Sequence, residues 1–190
     1  QLAWSFALPA GPNTTTPLVH DGVMFLFAQD NVVALDARSG ELLWRYAHQL
    51  PQGDRPSAKR ALALYGNKVY APTSDGRVVA LDVQTGKVVW NEPVDNNVKA
   101  STTGGLLAAK GKVMLGTTGF APGGGYIQAF DAETGKKLWR FYGIPRPGEK
   151  GSETWNGTEL AKMSGGSVWT PGYYDPVNDL VFFSPTPTYD

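Results

Sequence analysis

Cysteine is absent from all 190 residues. That excludes a disulfide framework, a thiolate zinc site, an iron–sulfur centre and a thiol nucleophile within the chain. Net charge is missing too, since 17 Lys and Arg balance 17 Asp and Glu. With no surplus positive field to hold a polyanion, nucleic acid and anionic membranes are disfavoured as partners. Long apolar runs are also lacking. The longest, Val23–Ala28, is far short of the about twenty residues of a spanning helix, so no membrane span is expected. The opening Gln1-Leu-Ala-Trp-Ser-Phe6 has neither the basic start nor the apolar stretch of a signal peptide, so any export signal is expected to be removed or to lie outside the segment. What the chain does have is turn formers and a core. Its 23 Gly and 14 Pro fall below the roughly 25–30% of disordered chains, and 42% of residues are hydrophobic. A length of 190 residues allows one domain or about one and a half.

A repeat organises the chain. Asp36-Ala-Arg-Ser39-Gly40-Glu-Leu-Leu-Trp44, Asp82-Val-Gln-Thr85-Gly86-Lys-Val-Val-Trp90 and Asp131-Ala-Glu-Thr134-Gly135-Lys-Lys-Leu-Trp139 all fit D-x-x-[ST]-G-x-x-x-W. Each follows a strand-like apolar run, Val32-Val-Ala-Leu35, Val78-Val-Ala-Leu81 or Ile127-Gln-Ala-Phe130. The motif reads as a hairpin. The Asp side chain bonds the backbone ahead, Gly takes the positive φ, and the second strand ends in Trp. A second strand pair precedes each one, around Asp21-Gly22, Gly66-Asn67 and Lys110-Gly111. Four short strands per roughly 47 residues is the signature of a propeller blade. The recurring Trp44, Trp90 and Trp139 require a recurring apolar slot, which predicts packing between neighbouring sheets.

The fold expected is therefore all-β: a partial β-propeller of about four four-stranded antiparallel blades with tryptophan-ending repeats. Residues 1–190 read as the N-terminal part of a single propeller domain, with repeats ending near Trp4, Trp44, Trp90 and Trp139 and an incomplete last blade over 168–190. Since propellers close with about four to eight blades, the chain is expected to begin and end mid-blade. The remainder of the propeller, from the same or another chain, would cover the two apolar sheet faces.

Residues 143–167 form an insertion rich in Pro, Gly and charge, and long loops on a rigid scaffold tend to carry function. It leads to Gly165-Gly-Ser-Val-Trp169, whose Trp stands outside the repeat position. Gly123-Gly-Gly125 lacks the Lys-Ser/Thr of a phosphate loop and its strand-to-helix setting. His20 and His48 read as surface groups, and Asp36, Asp82 and Asp131 as turn residues and not catalytic bases.

With Trp139-Arg-Phe-Tyr-Gly143-Ile-Pro145, then Thr154-Trp155, then Gly165-Gly-Ser-Val-Trp169 before Tyr174-Asp-Pro176, the chain resembles the quinoprotein alcohol dehydrogenases, periplasmic eight-bladed propellers that bind pyrroloquinoline quinone (PQQ). The resemblance extends over essentially the whole chain. It implies PQQ as cofactor, a small alcohol as substrate, a cytochrome-type electron acceptor and a periplasmic location. Carried over by position, Trp169 matches the indole that stacks under the quinone and Arg60 the arginine at its oxygens. Thr103, Thr118 and Gly119 match the family's hydroxyl and backbone donors. These types suit a flat anionic ring, which takes a π platform, a cation and hydroxyl donors.

The departures are specific. The family's vicinal cysteines fall on Asp54 and Arg55, and a cofactor-contacting glutamate on Thr14. Its calcium-binding glutamate and asparagine fall near Ala121 and Pro187, which offer no side-chain oxygen to Ca²⁺. Asp190, three residues on, is the remaining candidate metal ligand. The family's catalytic aspartate has no counterpart here and is expected beyond residue 190. The alternative is a non-catalytic propeller acting as an envelope assembly scaffold, which the lost calcium ligands favour and Arg60, Trp169 and the insertion oppose.

Overall fold

The structure, a computed structural model, describes residues 2–11 and 13–189. Each repeat folds as one four-stranded antiparallel meander. The first contains β1 (Leu18–His20), β2 (Val23–Ala28), β3 (Asn31–Asp36) and β4 (Leu42–Ala47). The second contains β5 (Ala63–Tyr65), β6 (Lys68–Pro72), β7 (Arg77–Asp82) and β8 (Val88–Pro93). The third contains β9 (Leu106–Ala109), β10 (Lys112–Gly116), β11 (Tyr126–Asp131) and β12 (Lys137–Tyr142). Two short 3-10 turns follow, then β13 (Ser164–Gly165), β14 (Tyr173–Asp175), β15 (Leu180–Phe182) and β16 (Thr188–Tyr189). β14 pairs with β15 as the start of another meander, and β13 with β16. The partial propeller of tryptophan-ending blades is thus as the repeat arithmetic predicts.

The core lies between sheets. One cluster joins Phe25, Val32 and Ala34 of the first sheet to Val69, Val79 and Leu81 of the second, and another joins Tyr70, Val78 and Trp90 to Val113, Leu115 and Phe130 of the third. A middle strand covered on both faces can be apolar at every position, which accounts for the unbroken Val-Val-Ala-Leu runs.

The repeat motif is a docking device. In each turn one aspartate Oδ1 accepts two backbone N–H groups and a hydroxyl, as Asp82 does from Gln84, Thr85 and Thr85 Oγ1 at 3.1, 2.9 and 2.8 Å. Hydrogen bonds from Thr85, Thr134 and Ser39 hold Asp82, Asp131 and Asp36 below the usual carboxylate range. The glycine that follows carries the tryptophan of the preceding blade. A Cβ on Gly86, at φ +69°, would stand 2.6 Å from the Trp44 ring, and Gly40 and Gly135 receive Trp4 and Trp90 in the same way. Each indole Nε1 then donates to a carbonyl of that same turn: Ala37 at 3.2 Å, Val83 at 2.9 Å and Ala132 at 3.0 Å. Opposite each tryptophan on the third strand sits an alanine, Ala34, Ala80 or Ala129, and the register slips by one residue just beyond it. Such a bulge increases the local twist.

His48 departs from its surface reading. Its side chain is buried, with Nε2 3.0 Å from Asp75 Oδ1 and Nδ1 3.0 Å from the Tyr46 hydroxyl. His20 is exposed as expected.

Two outcomes follow. Trp90→Ala should cost about 3–5 kcal/mol in urea unfolding. Trp90→Phe should cost only about 1–2 kcal/mol, because Tyr70 Oη also donates to Ala132 O, at 3.1 Å, and keeps that carbonyl paired. The lowered aspartates stabilise the fold above their unfolded pKa and lose that contribution as pH falls through their folded values. Asp82→Asn should therefore flatten the decline of Tm below about pH 4, as read by thermal melts across acid pH.

Candidate functional site

The inner strands converge. Thr16 N donates to Arg60 O and Leu106 N to Ala61 O, both at 3.2 Å, which ties the starts of the three sheets together. The connections entering β5, β9 and β11 meet there, and a cleft of about 590 Å³ opens beside them. Arg60, Thr103, Thr118 and Trp169 all line it, although 109 residues separate the first from the last. The Arg60 guanidinium lies over the Trp169 ring, 4.1 Å from its centroid. Arg60 is the one charged side chain among the described lining residues, and it makes no ion pair among them. Trp169 remains 38% exposed, so the indole keeps open surface beside the guanidinium.

Gly119 is placed differently from the other four. It does not line the cleft, and its N–H donates to Ser167 Oγ at 2.7 Å. Its contribution is space. A Cβ on Gly119 would fall 1.7 Å from Gly165 O, so the segment that delivers Trp169 lies directly on its backbone. That segment is sewn in by Gly165 N to Gly119 O at 2.7 Å, Gly125 N to Gly165 O at 2.9 Å and Val168 N to Thr117 O at 2.9 Å. Gly165 itself stands at φ +97°, a conformation that only glycine adopts cheaply.

The insertion contributes less to the cleft than its composition suggests. Only its end, Ser164, Gly165 and Ser167, reaches the cleft. Its body is held elsewhere, by Arg146 donating to Gly123 O at 2.6 Å and stacking 3.7 Å from the Tyr142 ring centroid. Sequence reasoning also missed Phe120, Ser101 and Thr186 as lining residues, whereas Thr14, onto which the resemblance puts a cofactor-contacting glutamate, lines the cleft with Arg60. No local motif marks these positions, because the topology alone brings them together.

Asp190 lies outside the described residues. Among the described residues no cluster of His, Cys, Asp or Glu could hold a metal ion.

Fold and cleft define the class: a tryptophan-docked β-propeller whose inner end offers one cation, one indole face and several hydroxyls. The family model described as outer membrane protein assembly factor BamB matches residues 1–117. The one described as the glucose/ethanol/alcohol dehydrogenase β-propeller domain matches residues 103–190. Quinohemoprotein alcohol dehydrogenase ADH IIB of Pseudomonas putida is 40% identical over 88% of this chain and 27% of its own length. The dehydrogenase subunit of a quinone alcohol dehydrogenase from Gluconobacter oxydans (strain 621H) is 36% identical over 96% of this chain and 28% of its own. The crystal structure of quinohemoprotein alcohol dehydrogenase from Comamonas testosteroni superposes with a TM-score of 0.81 at 31% identity, covering 97% of this chain and 31% of that one. The chain belongs to the family of PQQ-type β-propellers, and the relatives it is similar to are quinoprotein alcohol dehydrogenases. It spans under a third of the length of these curated relatives.

Gly119→Ala should destabilise the intact protein by about 3 kcal/mol through overpacking against Gly165, read by chemical denaturation. Its tryptophan emission should shift as the 165–169 segment lifts from its seat.

Proposed function

We propose that this chain supplies part of the cofactor cradle of a PQQ-dependent alcohol dehydrogenase of the periplasm. The observation that carries the reading is the Arg60–Trp169 stack in a cleft also lined by Thr103 and Thr118. PQQ is flat, tricyclic and anionic, and the donor set suits it. The free indole surface of Trp169 accepts a planar ring by stacking. Arg60 brings a guanidinium with no carboxylate among the described lining residues, free for carboxylate or quinone oxygens, and the threonine hydroxyls are donors at the cleft wall. PQQ held there would supply a two-electron acceptor for the hydride of an alcohol, with a cytochrome-type protein as the onward electron acceptor. The chain's own residues would bind and orient PQQ, Trp169 by stacking and Arg60 and the threonine hydroxyls by hydrogen bonds to its oxygens.

Calcium fits less well. Ala121 and Pro187 stand where the resemblance puts the metal's glutamate and asparagine, and neither has a side-chain oxygen. No step is assigned here to a metal held by these residues. The scaffold reading draws support from the family match over residues 1–117, but it leaves without a purpose an arginine stacked on an indole in an inner cleft that no described carboxylate lines.

Titration calorimetry of the intact protein with PQQ tests the reading. Trp169→Ala and Arg60→Met should each weaken binding by about tenfold or more. Failure of the unmodified protein to bind PQQ, or equal affinity in both variants, would overturn it.

A further inference from the structure

Behind the cleft lies a lysine that neither the cradle nor the docking turns explain. Residues 58–60 and 101–103 run along adjacent walls, and both alternate. Ala58 and Arg60 face the cleft while Lys59 turns away, and Ser101 and Thr103 face it while Thr102 turns away. Lys59 is 2% exposed and Thr102 3%. The two buried residues meet: Lys59 Nζ donates to Thr102 O and, at 2.7 Å, to Ser57 Oγ. On its other side the Lys59 carbonyl accepts Thr14 Oγ1 at 3.1 Å and Thr15 Oγ1 at 2.8 Å. One residue thus joins three segments, and all three contribute lining residues to the cleft. Thr102 is fixed in turn by Oγ1 donating to Thr73 O at 3.2 Å.

From this juxtaposition we infer that Lys59 is a positioning residue: its ammonium clamps the Arg60 wall to the Thr103 wall from behind and holds the cleft at the spacing its ligand requires. The inference rests on the cofactor-cradle reading of that cleft. A side chain of similar length without an N–H, such as methionine, has nothing to donate to Thr102 O, and among the described residues the backbone bond that still joins the two walls is Leu106 N to Ala61 O.

The surroundings of the ammonium set its pH behaviour. The carboxylates facing it are Asp30, bonded to Ser74 N and Oγ, and Asp75, paired with His48, while Lys99 stands on the β8–β9 connection in an ion pair with Asp54. Arg60 is its chain neighbour. Neither carboxylate bonds Nζ directly, and burial brings the lysine down to about 8, with Asp30 and Asp75 opposing the fall. Because the folded value lies below the unfolded one, folding disfavours the charged form. Stability from this group therefore rises as pH increases between the two values, while the clamp weakens over the same range as the amine loses its charge. Stability and cleft affinity should move in opposite directions, which a merely structural lysine would not produce.

The test uses the intact protein, its Lys59→Met variant and PQQ as probe. Lys59→Met should bind PQQ about tenfold more weakly at neutral pH. The unmodified protein should lose about threefold in affinity from pH 7 to 9, a dependence that Lys59→Met lacks. Hydrogen exchange provides a readout without ligand: the amides of Thr16 and Thr118, bonded to Arg60 O and Ser101 O, should exchange faster in Lys59→Met than in the unmodified protein. Amides of β7 and β10 should be unchanged. Unaltered exchange at Thr16 and Thr118 would overturn the clamp, as would PQQ affinity with the same pH profile in both proteins. If the unmodified protein does not bind PQQ, the cradle reading fails, and hydrogen exchange alone still decides whether Lys59 joins the walls. Should Lys59→Met not fold, the pH profile of the unmodified protein decides: affinity that is flat or rising between pH 7 and 9 overturns the clamp.

Discussion

Everything at the inner end of this molecule depends on an indole lying flat against the backbone of the next sheet. The contact requires a residue without a Cβ, a carbonyl within reach of Nε1, and a turn that holds both still. The D-x-x-[ST]-G-x-x-x-W repeat provides all three at once. The aspartate fixes the turn, the glycine opens the seat, and the tryptophan at the end of the following strand docks on the next copy. Since each blade is positioned by the one before it, the angle between sheets is set twice by the same contact, Trp44 on Gly86 and Trp90 on Gly135. Trp4 seats the N-terminal segment on Gly40 in the same way. The bulge beside every tryptophan belongs to this geometry, because it lets the fourth strand swing its ring toward the neighbouring sheet while the alanine opposite leaves room.

Accurate spacing of the sheets makes an inner cleft possible. The backbone groups of Thr16, Arg60, Ala61 and Leu106 pair across three separate meanders, so a small rotation of one blade would break them. A second device finishes the site. Five of the ten residues from Gly116 to Gly125 are glycine, and Gly165, Gly166 and Val168 rest on four of them, Gly116, Gly119, Gly124 and Gly125, at distances that no Cβ would permit. That seam carries Trp169 across from the fourth meander to Arg60. A π platform and a cation contributed by different blades are then held by backbone contacts, which are stiffer than side-chain packing alone.

The blades could be read in the sequence because their causes are local. Asp, Ser or Thr, Gly and Trp at fixed spacing define turn, seat and dock without reference to the rest of the chain. The cleft has no such signature. Trp169 stands out in the sequence only as a tryptophan outside the repeat position, and family resemblance alone singles out Arg60. His48 shows the limit from the other side. Read alone it is an isolated polar residue after a strand, and only the fold places Asp75 and Tyr46 on its two nitrogens. Gly119 was legible as important but not for the right reason, because its role is the closeness of Gly165, some 46 positions later in the chain. Lys59 is similar. Nothing in Ser57-Ala-Lys-Arg60 singles Lys59 out, and only the fold shows that it is buried while its neighbour Arg60 lines the cleft.

The cleft's electrostatics follow from what its walls leave out. Seven hydroxyl-bearing residues line it, Thr14, Ser101, Thr103, Thr118, Ser164, Ser167 and Thr186, and no carboxylate does among the described residues. A guanidinium in such a place has to be stabilised by something other than an ion pair, and here an indole face provides part of that stabilisation. This is weaker than a bidentate carboxylate and therefore easier to exchange for a ligand's anionic oxygens. Placing carboxylates nearby for a divalent ion would neutralise Arg60 and reduce that preference. On the cofactor-cradle reading, side chains without oxygen at Ala121 and Pro187 and the lone charge of Arg60 among the described lining residues would act in the same direction, toward a ligand that is anionic and flat.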